Sequence, residues 1–146
     1  MECKFESSVR MIDAPQQVVY DNLSDLTNLE RIKDRMPEDK IQEFTFDRDS
    51  LSVSVSPVGT ITLRIIEREE PKCLKFETAE SPIPFLFWIQ LLPVTEETSK
   101  MKLTIKTDLN PLMKGMVKKP LTDAIEKMAD VLASVKYEPV EKKDEE

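Results

Sequence analysis

No histidine occurs anywhere in this chain, and that sets the limits of its chemistry. A Ser-His-Asp triad, a Cys-His pair and a histidine-ligated metal centre are excluded, as is a histidine general base near neutral pH. Acid–base work would fall to carboxylates, lysines or tyrosines with displaced pKa values. Carboxylates are plentiful: Asp47 and Asp49 stand two apart near a turn, and Glu67, Glu69 and Glu70 cluster before Pro71. They read as solvated turn residues rather than as a catalytic or cation-binding set. Cys3 and Cys73 are too few for a disulfide framework or a zinc site, and fit a reducing compartment. The two glycines, Gly59 and Gly115, cannot build a phosphate-cradling loop or a dinucleotide fingerprint. Gly115 is either a tolerated helix glycine or a point of close approach to a strand or ligand. The residues imply no catalytic group, no metal and no cofactor.

Apolar side chains are the better candidates for a site. Strand alternation turns Ser7, Val9, Phe44, Phe46, Leu63, Phe76, Phe87, Ile89, Met101 and Leu103 toward one surface, and a helical stripe adds Met113, Met116, Val117 and Met128. Methionine fills irregular space and recurs at adaptable ligand sites, so the methionines fit a cavity as well as a plain core. Ser7, Gln42, Thr78 and Thr107 share the inward phase. A ligand, a trapped water or neighbouring backbone could satisfy them. An apolar pocket with few polar anchors is the usual form of a small-molecule site. Trp88 is out of phase with Phe87 and Ile89, so with Leu86 it belongs to the opposite face, for packing or for contact with a partner.

These residues need elements to position them. Residues 3–12 alternate as one half-buried strand, with Phe5, Ser7, Val9 and Met11 in one phase. Pro15 then opens a short helix at its first position. Thr27 and Glu30 have capping-box spacing for a second helix, to about Met36, which Pro37 ends. From Lys40 to Thr107 six alternating runs separated by short turns predict an antiparallel meander with one buried face. Asn110-Pro111 is a strong helix start, and Met113, Val117, Leu121, Ala124, Ile125, Met128, Leu132 and Val135 form the stripe of a long helix. Pro120 lies inside it and predicts a kink or break. One domain over residues 1–137 is expected, with 138–146 as a charged, disordered tail.

Composition narrows the partners. A net charge of −7 opposes binding to nucleic acid and electrostatic docking on anionic membranes. There is no apolar leader after Met1, and the stretch from Ile83 to Val94 is too short and too interrupted to span a bilayer, so no stable membrane insertion and a cytoplasmic location are expected. The oligomeric state is left open.

The order of elements is strand, two short helices, six strands and one long helix. The long helix must cover the apolar face of a twisted sheet, an α+β arrangement of seven antiparallel strands curved around a C-terminal helix. With Ala14-Pro15-Gln16-Gln17-Val18-Val19-Tyr20 running into Leu23-Ser24-Asp25, the hairpin around Leu91-Leu92-Pro93 and Met101-Lys102-Leu103, and the Asn110-Pro111 start, this order resembles the helix-grip fold of the birch-allergen-like and START-like superfamily over nearly the whole chain. That resemblance implies noncatalytic binding of a hydrophobic small molecule or lipid between sheet and helix. It also admits a polyketide cyclase or aromatase-like enzyme, for which no acid–base pair is evident, and a chaperone-activator-like interaction module, for which Leu86 and Trp88 mark the surface to inspect. Fold alone does not choose among these.

Overall fold

Alternating apolar residues govern the layout of the chain from Phe44 to Asp108. In the computed structural model, which describes residues 2–28, 44–55, 59–80, 84–135 and 137–139, this stretch forms six strands. They are β3 (Phe44–Phe46), β4 (Ser50–Val55), β5 (Gly59–Glu69), β6 (Cys73–Glu80), β7 (Leu86–Pro93) and β8 (Ser99–Asp108). Before them come β1 (Glu2–Glu6), β2 (Arg10–Ile12) and helix α1 (Gln16–Leu23), and after them helix α2 (Pro111–Ser134). The strands form one antiparallel sheet in the order β1-β8-β7-β6-β5-β4-β3, with β2 also paired to β8. Taken as two segments of one strand, β1 and β2 make this the expected seven-stranded curved sheet around a long C-terminal helix. Thr27 and Asn28 are helical, where the second short helix is expected to begin, and the rest of its expected span lies outside the described residues, as does the expected tail from residue 140 onward.

The first strand departs from simple alternation. Glu6 stands opposite Thr104 and Arg10 opposite Met101, so one extra residue is accommodated on the β1–β2 side. This is a β-bulge, and it inverts the phase of everything after it. Cys3, Phe5 and Ser7 are buried before it, and Ile12 after it. Val9 and Met11, expected to face inward, are 56% and 60% exposed. The bulge is built on Ser7: its amide donates to the Leu103 carbonyl at 2.9 Å, and its hydroxyl accepts from the Leu103 amide at 2.9 Å.

Further register shifts fall in the β5–β6 pair, one with the extra residue on β6 at Ala79 and one with it on β5 at Ile66. Ile61, Leu63 and Ile65 stay inside by alternation, and Ile66 faces out. Pro15 caps α1 from an extended conformation, one position earlier than expected, and accepts the Val19 amide at 3.1 Å. The Glu70–Pro71 peptide is cis in the turn between β5 and β6.

Helix α2 starts as its sequence demands. The Asn110 side chain accepts the Met113 amide at 2.8 Å, with Pro111 at the first helical position. It runs unbroken through Pro120 to Ser134, so the expected break is absent. Packing of Val117, Leu121, Ile125, Met128 and Leu132 on the sheet holds the helix across the position where proline removes an amide donor. An added Cβ at Gly115 would meet nothing within 4 Å, so this is a tolerated helix glycine and not a point of close approach. Beyond the helix, Tyr137 is buried with its hydroxyl donating to the Leu132 carbonyl at 2.6 Å, and the Asn22 amide group donates to the Glu138 carbonyl at 2.9 Å.

Candidate functional site

Between sheet and helix lies a small gap. Ile61, Leu63, Phe85, Phe87 and Ile105 form its sheet side, and Leu121, Ala124, Ile125 and Met128 its helix side. Its volume is about 20 Å³, space for little more than one water, yet every described lining side chain is apolar and offers a water no partner. Around it the core is closely packed, with the Phe76 and Phe87 rings 5.3 Å apart and tilted by 56°.

The candidate residues divide by their distance from this gap. Leu63, Phe87 and Met128 line it. Ser7, Phe76, Ile89, Met101, Leu103 and Val117 are buried in the surrounding core, and Met113 is half-buried against it. Met116, expected inward, is 63% exposed, because it lies one residue off the stripe that Val117 and Leu121 direct at the sheet. Val9 is turned out by the bulge. Phe44 and Phe46 belong to the edge strand β3, and their side chains lie outside what the structure describes. Ile61, Phe85, Ile105, Leu121, Ala124 and Ile125 complete the lining; all sit in the alternating or helical patterns, but periodicity marks an inner face without showing which of its residues border a space.

The inward polar groups are satisfied by backbone. Thr107 donates to the Pro84 carbonyl at 2.8 Å, Thr78 accepts the Phe85 amide at 3.3 Å, and Ser7 serves the bulge. Gln42 lies outside the described residues.

Charge concentrates where α2 meets the bulge. The Arg10 guanidinium donates to Glu126 at 2.8 Å and also to Asp130, one helical turn on. The Glu126 carboxylate further accepts the Ser8 amide at 3.2 Å and the Ser8 hydroxyl at 3.0 Å. The Arg10 hydrogen bond, with smaller help from Ser8, holds the Glu126 pKa below its ordinary value, and the Glu126 hydrogen bond raises that of Arg10. Elsewhere, burial pushes up the Tyr137 hydroxyl, the Tyr20 hydroxyl and the Cys73 thiol, the last also through Glu69 and Glu67. None of these is poised as a nucleophile. Asp49, one of the carboxylates weighed from sequence, pairs with Arg68.

On the outer face, Trp88 lies under two ammonium groups, Lys75 at 5.6 Å and Lys106 at 5.7 Å from the ring centroid. Trp88 and Leu86 are both half-buried. An open cleft of about 620 Å³ runs along the neighbouring strand ends, bordered by Glu77, Leu86, Lys106 and Asp108 among others. Among the described residues no helix is long and apolar enough to cross a membrane.

This arrangement is the START-like, birch-allergen-like helix-grip fold. Norcoclaurine synthase from Thalictrum flavum superposes with a TM-score of 0.69 at 14% identity, over 91% of this chain and 85% of that one. A structure of the same enzyme holds dopamine and hydroxybenzaldehyde. A START superfamily protein from Mycobacterium smegmatis gives a TM-score of 0.62 at 11% identity, over 90% and 94% of the two chains. A protein from Thermus thermophilus gives 0.61 at 16% identity, with the same coverage. No protein-family model matches the sequence. No curated protein matches it either.

Proposed function

We propose that residues 1–137 form one domain that binds a small hydrophobic molecule, such as a lipid, noncatalytically between the sheet and α2. The observation that carries this reading is the gap between sheet and helix, whose nine described lining residues are all apolar. None of them titrates, so acid–base chemistry on a molecule held there would lack a group, which favours binding over catalysis. Solved structures with this fold include an enzyme that holds small aromatic molecules. The gap is only about 20 Å³, so on this reading a ligand enters by displacing side chains. Met128, unbranched and adaptable, is the lining residue best suited to yield. A chain with only two cysteines fits a reducing, cytoplasmic setting.

Native mass spectrometry of freshly purified protein, followed by organic extraction, tests the reading directly. A reproducible adduct that extracts as an apolar compound supports it and names the ligand class. A clean apo mass, together with no saturable binding of a fluorescent apolar probe in vesicle-free buffer, overturns it.

A further inference from the structure

Phe85 borders two spaces at once. It forms part of the sheet side of the gap, and it also borders the cleft of about 620 Å³ at the strand ends. No other described residue lines both. The pleat of the sheet explains the closeness of the two spaces. Thr107 of the cleft and Ile105 of the gap are two residues apart on β8, and Phe85 stands in the same relation to Phe87. Residues two apart on a strand share a face at a spacing of about 7 Å. Phe87 stands opposite Ile105 in the β7–β8 pair. The inward end of the cleft, at Phe85 and Thr107, is therefore the next pleat beyond the wall of the gap.

The anchoring of Phe85 differs from that of the other lining residues. The other eight belong to β5, β7, β8 or α2, whereas Phe85 precedes β7. Its ring is buried, yet its backbone is held by two bonds to one residue. The Phe85 amide donates to the Thr78 hydroxyl at 3.3 Å, and the Phe85 carbonyl accepts the Thr78 amide at 3.2 Å, both long for such bonds. The Thr107 hydroxyl, donating to the Pro84 carbonyl at 2.8 Å, fixes the residue before it.

We propose that a ligand passes between cleft and gap at Phe85, and that it is an amphiphile whose apolar chain occupies the gap while its polar end stays in the cleft. This rests on the carrier reading and deepens it. The two spaces divide the chemistry in that way. A polar group carried into the gap meets only apolar side chains and loses its water without compensation. In the cleft it meets solvent and the charged groups of Glu2, Glu77, Lys106 and Asp108. Within the gap Met128 makes room. At its edge the Phe85 ring turns to another rotamer and joins the two spaces.

Stopped-flow fluorescence with N-phenylnaphthylamine, an uncharged probe that brightens in apolar surroundings, tests the passage. Thr78→Val removes the hydroxyl that holds the Phe85 amide without adding space, and should speed probe association and dissociation about two- to tenfold. Thr78→Ser keeps the hydroxyl and should keep the wild-type rates. Phe85→Ala removes the ring and should speed both steps by more than Thr78→Val does. Circular dichroism checks that each variant is folded. Wild-type rates in both Thr78→Val and Phe85→Ala overturn the passage and leave the carrier reading intact, since that reading stands on saturable binding itself. No saturable binding of the probe by the wild type removes both. Displacement of the probe by decanoate and by decylammonium, below micelle-forming concentrations, tests the polar end. Lys106→Glu should move the preference between the two by roughly tenfold toward the ammonium, less so at high salt. An unmoved preference overturns the placement of the polar end in the cleft.

Discussion

Ser7 and Leu103 exchange two hydrogen bonds of 2.9 Å, one from the Ser7 amide to the Leu103 carbonyl and one from the Leu103 amide to the Ser7 hydroxyl. A side chain thus completes a ladder that the extra residue would otherwise interrupt. Ser7→Ala leaves the buried Leu103 amide without its acceptor and should cost about 1–3 kcal/mol. Urea denaturation reads this as a lowered midpoint with an unchanged slope, and an unshifted midpoint would show that backbone alone sustains the bulge.

Glu126 ties α2 to that bulge through Arg10 and Ser8. Its folded-state pKa is depressed from the ordinary 4.5, so its contribution is complete above that value and fades as pH falls through the lower folded one. The side chain is partly exposed, which keeps the contribution to about 0.5–1 kcal/mol. The stability gap between wild type and Glu126→Gln should be present at neutral pH and close in acid. A gap that persists into strong acid would assign the effect to the amide substitution rather than to the lost charge.

Two substitutions bracket the gap. Met128→Ala enlarges it and should cost about 2–5 kcal/mol while strengthening the binding of small apolar probes. Ala124→Leu fills it, at about 1–3 kcal/mol for overpacking, and should abolish that binding. Calorimetric titration with one probe across the three proteins decides, and equal affinities would place any binding outside the gap.

Trp88 is the single tryptophan of the chain, so its fluorescence reports on Lys75 and Lys106 without interference. Replacing either lysine by Met should shift the emission and cost about 0.5–1 kcal/mol. Because the indole is on the outer face, apolar-probe affinity should stay the same.

Gly115 is exposed within a helix and has open space where a Cβ would go. Gly115→Ala should raise stability by about 0.5–1 kcal/mol, seen as an increase in melting temperature. A decrease would reveal a contact that the free space does not show.

The architecture was legible because each element declared itself by period. Alternation in Ile61, Leu63 and Ile65, or in Met101, Leu103 and Ile105, has only one way to bury its apolar side, and Asn110-Pro111 marks a helix start by two independent signals. The inward assignment of Val9 failed because a bulge adds a residue without leaving a trace in hydrophobic pattern. Nothing in Ser7-Ser8-Val9 announces that the serine hydroxyl will take a backbone acceptor's place. The unbroken passage of α2 through Pro120 was equally hidden, since propensity describes the isolated helix and not one pressed against a sheet. As for the site, the stripe of α2 identified its wall but not the size of the space behind it, which depends on how side chains from three strands and a helix interlock.

The inversion at Ser7 has a thermal consequence. By turning Val9 and Met11 outward and Arg10 toward Glu126 and Asp130, it replaces an oily contact at one end of α2 with an ionic one. The rest of the helix rests on hydrocarbon. Hydrophobic attraction weakens on cooling, while the cost of stripping water from charges falls on warming, and only the charges are screened by salt. The helix is therefore moored by two attachments that answer to different variables: chilling slackens the greasy one, brine the charged one.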